Sequence, residues 1–230
     1  AVGHTGVVVI GNDGHDFVSE GHLIRSNHIH DVGMRVGHGC GVQLMRCAHT
    51  EVSHNLIHHS PRYAVSVLGF LSAQLEGDRL VFSKSEGLQR TVRAAHDILI
   101  CANDVYRCNL DSQDTGVIQA YHAGPDIAVR ENYVHDSDIP FSFGTGIYLD
   151  DCCTRFTVER NVLARLQKGG AGSLGNLMTL KGDSHVVRKN VCRDCGVDKN
   201  GALFCSLYLD SDSTSDLTLY QNYAENCGKN

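Results

Sequence analysis

Carboxylates, a lysine and aromatic rings stand at the ends of several short apolar runs in this 230-residue chain. Asp150 and Asp151 follow Gly146-Ile147-Tyr148-Leu149, Lys181 follows Leu177-Met178-Thr179-Leu180, and Asp210 follows Leu207-Tyr208-Leu209. Gln43 lies inside a fourth run, Gly41-Val42-Gln43-Leu44, while Tyr121 and His122 come just after a fifth, Gly116-Val117-Ile118-Gln119. Two carboxyls flanking a glycosidic bond act as acid and as base or nucleophile. They lie about 5–5.5 Å apart for retention and about 6.5–9.5 Å apart for inversion. A lysine beside a carboxylate offers a different reaction, removal of the proton α to a uronate carboxylate, often with Ca²⁺ neutralising that carboxylate. The same residues also fit plainer roles: Asp150-Asp151 as a strand end and turn, and Lys181 as a cross-coil ion pair with Asp151.

A repeat decides which of these groups can meet. Asparagine recurs at 27, 55, 103, 132, 161, 190 and 222, with an aliphatic residue three before it and an apolar one two after. The period is about 29 residues with one longer interval, the mark of stacked repeats. Alternation is of period 2 and β-branched residues are common, which is strand chemistry. No hairpin signal joins the strands, so each must pair with its counterpart in the next repeat, about 4.8 Å away. The fold read from this is all-β: a single-stranded right-handed parallel β-helix of about seven coils over residues 1–230, with an Asn ladder. Asn is expected to take the left-handed backbone of the turn itself.

Phasing the first strand with Val42, Val117, Ile147, Leu177 and Leu207 inward puts Gln43, Ile118, Tyr148, Met178 and Tyr208 in one outward column. Met45, Ala120, Asp150, Leu180 and Asp210 form the next, and Arg46, Tyr121, Asp151, Lys181 and Ser211 run along the turn. Asp150 and Asp210 would then stand two coils apart, about 9–10 Å by rung spacing. Aromatic faces beside carboxylates and a lysine suit pyranose rings. An excursion at about 70–95 fills the long interval and reads as a wall of the groove or as a variable surface loop.

A formal charge of −6 gives no basic footprint for nucleic acid and no polybasic membrane tether, and no apolar run is long enough for a membrane span. Of the ten cysteines, Cys108, Cys195 and Cys227 share one repeat position and Cys47 and Cys153 another, so they read as small core fillers. Cys195 and Cys227 fall in successive repeats and are the candidates for a bridge. Ten of the fourteen histidines fall in the first 59 residues, with His30 and His58 in one column. They read as turn and strand residues, with stacked imidazoles as an alternative transition-metal set. The chain starts without Met and ends mid-repeat, which suggests a larger native protein.

The repeated Asn frame resembles the Asn ladder of the pectate-lyase-like β-helix superfamily, across almost the whole chain. Within it, Ser112-Gln113-Asp114-Thr115-Gly116 and Gly146-Ile147-Tyr148-Leu149-Asp150-Asp151 resemble the D-T-G and G-I-Y-x-D-D segments of β-helix glycoside hydrolases of the family 141 and family 120 type. The segments Ser53-His54-Asn55-Leu56-Ile57-His58 and Ser60-Pro61-Arg62-Tyr63 are similar to that group too. The resemblance implies an active face on the first strand, Asp114 with Asp150 or Asp151 as the carboxylate pair, a carbohydrate substrate, no cofactor, and a secreted or periplasmic setting. An ideal coil separates Asp114 from Asp150 by more than about 10 Å, so a curled loop at Asp111 to Asp114 would have to close the gap. The catalytic candidates are therefore Asp150 and Asp151, then Asp114, then Asp210. Tyr148, Tyr121, His122, Lys181, Tyr208 and Gln43 are the candidates for substrate binding. A glycoside hydrolase of plant or microbial glycans is the leading function. The alternatives are a polysaccharide lyase with a Lys or Arg base and Ca²⁺, or a non-catalytic glycan-binding or structural β-helix of the tailspike or adhesin type.

Overall fold

Short β-rich runs without hairpin turns can satisfy their backbone only by pairing from coil to coil. The computed structural model describes residues 2–11, 19–69, 95–140, 144–168, 174–205 and 216–228, and among these all strand pairing is parallel and there is no helix. The first sheet holds Val7–Ile10, Val42–Met45, Val65–Leu68, Thr115–Tyr121, Gly144–Leu149, Leu174–Leu180 and Val197–Cys205. The second holds Ser19–Glu20, Cys47–Ser53, His96–Cys101, Ile127–Arg130, Phe156–Glu159, Val186–Arg188 and Thr218–Tyr220, with Leu23–Arg25 also on Cys47–Ser53. The third holds His28–His30, Leu56–Ser60, Asp104–Cys108, Tyr133–Ile139, Val162–Lys168, Val191–Arg193 and Tyr223–Glu225. One strand from each sheet makes a coil. The coils are numbered here by their ladder residue, from Asn27 in the first to Asn222 in the seventh.

The asparagine carboxamides lock the coils together. From Asn55 onward, each Oδ1 accepts both the backbone N–H and an Nδ2–H of the ladder residue one coil earlier, at 2.9–3.1 Å. Nδ2 also donates to the carbonyl of the aliphatic residue in the previous coil, as from Asn132 to Ile100 at 3.0 Å and from Asn161 to Val129 at 2.9 Å. The run passes unbroken from Asn55 to Asn103 across the long interval. Residues 70–94, which hold nearly all of the excursion, lie outside the described residues.

One expectation about these turns is corrected. The left-handed residue is the one before each asparagine: Ser26, His54, Ala102, Glu131, Arg160, Lys189 and Gln221, with φ of 52–58°. The asparagine N–H must point along the stack to the next Oδ1, so the bend falls one residue earlier. Two further left-handed corners recur in the coils. His49, Asp97, Asp126, Arg155, Ser184 and Asp216 lie six before the ladder, and Asp31, His59, Arg107, Asp136, Arg165, Asp194 and Asn226 four after it.

Inside, the apolar frame stacks in columns. Val52, Ile100, Val129, Val158 and Val187 line the second sheet, and Ile57, Val105, Val134, Leu163 and Cys192 the third, each at most 1 % exposed. Cys47, Cys108, Cys153 and Cys195 are buried fillers, and burial pushes the Cys108 thiol up to about 12. Cys195 and Cys227, the candidates for a bridge, are both free thiols.

The first sheet departs from the expected register. Val65–Leu68 supplies the third coil, a strand missed in the sequence, and Ile118 and Met178, not Val117 and Leu177, align with Ile147. Gln119 thus joins Gln43, Ser66, Tyr148 and Thr179 in one column, while Tyr121 and Lys181 move level with Asp150. The connection from this sheet to the ladder varies in length, so counting back from the asparagines slips by one or two places. By the same register Cys205 takes the place expected for Tyr208. Tyr208, Asp210 and Ser211 themselves lie outside the described residues.

His30 does stack over His58, with ring centroids 5.2 Å apart, and the stack continues through Tyr106 to His135. Burial, then the neighbouring His59, His28 and His30, holds the His58 imidazole below its ordinary value. His185 is fully buried: its Nδ1 accepts the Phe156 N–H at 3.2 Å and its Nε2–H donates to the Lys181 carbonyl at 2.8 Å. Burial lowers its pKa as well.

Asn132→Ala strands the buried Asn103 N–H and the Ile100 carbonyl, at about 1–3 kcal/mol each. We expect urea unfolding to show a loss of about 3–5 kcal/mol, against under about 1 kcal/mol for Asn27→Ala at the exposed end. Equal losses at the two positions would contradict the ladder's role. His58 and His185 resist protonation only in the fold, as His38 does under its own burial and Arg62, so the unfolded chain binds protons first. Stability should therefore begin to fall as pH drops below about 6.5 and go on falling until the folded values are reached. Urea midpoints at pH 7.5 and 5.5 read this directly, and a midpoint unchanged or higher at 5.5 would refute it.

Candidate functional site

At the outer edge of the first sheet, the fourth, fifth and sixth coils bring Tyr121, Asp150 and Lys181 level. Lys181 Nζ lies 2.6 Å from Asp150 Oδ1 and 3.1 Å from Asp151 Oδ1. One ammonium therefore holds two carboxylates, both just past the strand end. The expected partner of Lys181 was Asp151 alone; the register shift adds Asp150 as the closer one.

Asp150 is 8 % exposed and fully engaged. Its Oδ1 also accepts the Asp151 N–H at 2.9 Å, and its Oδ2 faces Gln119 Nε2 at 3.4 Å. Gln119 is itself pinned, its Oε1 accepting the Gly116 N–H at 2.9 Å. Burial pushes the Asp150 carboxyl up, opposed by the Lys181 ammonium. For Lys181 burial is the largest influence and pulls down, but its contacts with Asp150 and Tyr148 outweigh it and the net shift is upward. Lys181 is held protonated at neutral pH. Asp151 is different: its side chain is 43 % exposed.

Tyr148 carries the cluster to Asp114. Its ring lies 5.1 Å from Lys181 Nζ, and its hydroxyl donates to Asp114 Oδ1 at 3.0 Å. Asp114 is exposed and sits at a left-handed φ of 51° at the end of a loop that does curl. The Asn109 N–H donates to the Arg62 carbonyl and the Asp111 N–H to the Pro61 carbonyl, while Asn109 Nδ2 spans to the Thr115 carbonyl at 3.1 Å. Burial, then the Asp150 charge, raises the Tyr148 phenol. Gly116 is required beneath this ring: a Cβ there would meet Tyr148 Cβ at 2.7 Å and the Ile118 carbonyl oxygen at 2.8 Å.

Tyr121 and His122 flank the group, their rings 4.2 Å apart, and the His122 N–H donates to the Asp151 carbonyl at 2.9 Å. Burial, then the charges of Asp151 and Asp150, pushes Tyr121 up to about 12. Gln43 shares Tyr148's column but stands three rungs away, outside the cluster. Sequence reasoning missed Gln119 and His185, the latter donating to the Lys181 carbonyl. Gln119 would have been found by placing Val65–Leu68 in the first sheet, because Ser66 then aligns Gln43 with Gln119. Among the described residues no helix is long and apolar enough to cross a membrane.

Comparison with curated proteins and with solved structures returns no match. A family model described as the right handed beta helix region matches residues 2–177, more than two thirds of the chain. With three parallel sheets and a continuous asparagine ladder beneath that match, the chain belongs to the right-handed β-helix family.

Proposed function

We propose that this β-helix is a glycoside hydrolase acting on a plant or microbial glycan. The supporting observation is the convergence of Asp150 and Asp151 on one Lys181 ammonium, beside a Tyr148 that reaches Asp114. Asp151 and Asp114 have exposed surface and would face the sugar as the two working carboxyls. Asp150 and Lys181 are positioning residues, buried and mutually satisfied. Tyr121 and His122 would give the sugar an aromatic edge. The double engagement of Lys181 by Asp150 and Asp151 speaks against Lys181 as the base of a lyase.

A glycan-panel digest of wild type beside Asp151→Asn and Asp114→Asn separates these readings. Loss of either working carboxyl should cut turnover by about 10²–10⁴-fold with melting unchanged. Asp150→Asn should also unfold earlier, since an orphaned buried partner costs about 3–5 kcal/mol. Cleavage by all three variants at the wild-type rate would sink the assignment, and products absorbing through a new double bond would restore the lyase. Gly116→Ala should displace Tyr148 and lower turnover by roughly tenfold or more, as a misplacement of about 1 Å does. A variant as active as wild type would show that Tyr148's position does not matter.

A further inference from the structure

We propose that His49, His96 and Asp97 bind a divalent transition-metal ion of the Zn²⁺ class at the corner joining the second and third coils. One ligand atom from each of the three lies within 4.8 Å of the others, and among the described residues this is the one place where three such groups converge. His96 Nδ1 stands 2.7 Å from Asp97 Oδ2, and His49 Nε2 is 3.7 Å from Glu20 Oε2. A tetrahedral Zn²⁺ takes imidazole nitrogens and carboxylate oxygens at about 2.0–2.2 Å, which sets its ligand atoms a little over 3 Å apart. The three groups therefore stand within about 2 Å of that spacing.

The backbone fixes the placement. His49 and Asp97 occupy the same corner of successive coils, with left-handed φ of 45° and 51°, and the paired strands put Glu20, Ala48 and His96 in one column. Rung spacing therefore sets the distances between ligands. The same corner two coils further on shows how a carboxylate there is ordinarily neutralised: Arg155 NH2 donates to both oxygens of Asp126, at 2.7 and 2.8 Å. At Asp97 two imidazoles stand where the arginine would, with the Glu20 carboxylate beyond His49. Nitrogen ligands select Zn²⁺, Cu²⁺ or Ni²⁺ over Ca²⁺ and Mg²⁺. The His28, His58 and His59 group offers less, because the two nitrogens of His58 face different partners, at 2.8 and 2.6 Å. An ion at the His49 corner would clamp the second coil to the third beside the long interval.

Calorimetric titration of Zn²⁺ into the full chain, with thiols kept reduced, tests this. One saturable site per chain is expected, together with a higher melting temperature. The paired substitutions His49→Asn and His96→Gln should weaken binding by roughly tenfold or more. Asn keeps the left-handed corner accessible. His28→Gln with His59→Gln should leave binding unchanged, and Ca²⁺ should not compete. Wild-type affinity in the His49/His96 variant, loss of affinity in the His28/His59 variant, or no saturable binding by the wild type would each overturn the proposal.

Discussion

A buried carboxamide that accepts two hydrogen bonds from the coil before it and donates to the coil after it cannot shift by a residue without leaving several groups unpaired. Each such group costs about 1–3 kcal/mol. Six such coil-to-coil links join Asn27 to Asn222, and they survive the 48-residue step between Asn55 and Asn103. Parallel strands of three or four residues have little register preference of their own. The ladder supplies it for the second and third sheets, which flank it directly. Their apolar columns follow the asparagine frame without exception from Val52 to Val187 and from Ile57 to Cys192.

Corners are the second constraint. A coil that turns sharply needs left-handed residues, and those at the three recurring corners carry side chains, which the left-handed well disfavours except for Asn, Asp and His. That preference is a reason the corners collect Asp97, Asp126, Asp136, His49, His54 and His59, polar groups aimed at solvent one rung apart. Some then pair across rungs, as Arg165 does with Asp136, whose carboxyl that contact holds well below the usual range. Others meet imidazole instead. The geometry that closes the coil thus also concentrates ligands and charges at its edges.

This explains what was legible in the sequence and what was not. The ladder, the columns beside it and the His30 over His58 stack lie within three residues of an asparagine, and the filler cysteines within eight, where spacing is rigid. The candidate site lies nine or more residues upstream of one, from Lys181 at nine to Asp114 at eighteen, across a connection that changes length from coil to coil. There the count slips. Lys181 was placed beside Asp151 but reaches Asp150 more closely, and Ile118 turned out to be core while Gln119 faces outward. The separation expected between Asp114 and Asp150 followed from an ideal coil. A tyrosine ring lying across two rungs, which no spacing rule foresees, connects them through Lys181.

The Asp150–Lys181 pair bears on why this face is built as it is. Desolvating two charges costs several kcal/mol each, and a well-packed apolar pair of similar volume commonly serves stability as well or better. Earlier coils do use apolar groups at the same level: Met45 and Leu68 occupy that column in the second and third coils. A charge pair confined to the fifth and sixth coils, topped by an exposed Asp151 and tied through Tyr148 to an exposed Asp114, is therefore not something the coil itself demands. Its consequence is rigidity at one point of the surface, since Gln119, the Asp151 N–H and Lys181 together leave Asp150 no other arrangement. Rigid support beneath two reachable carboxyls is what acid–base chemistry requires of a scaffold, and the stacking rule alone gives no reason for it.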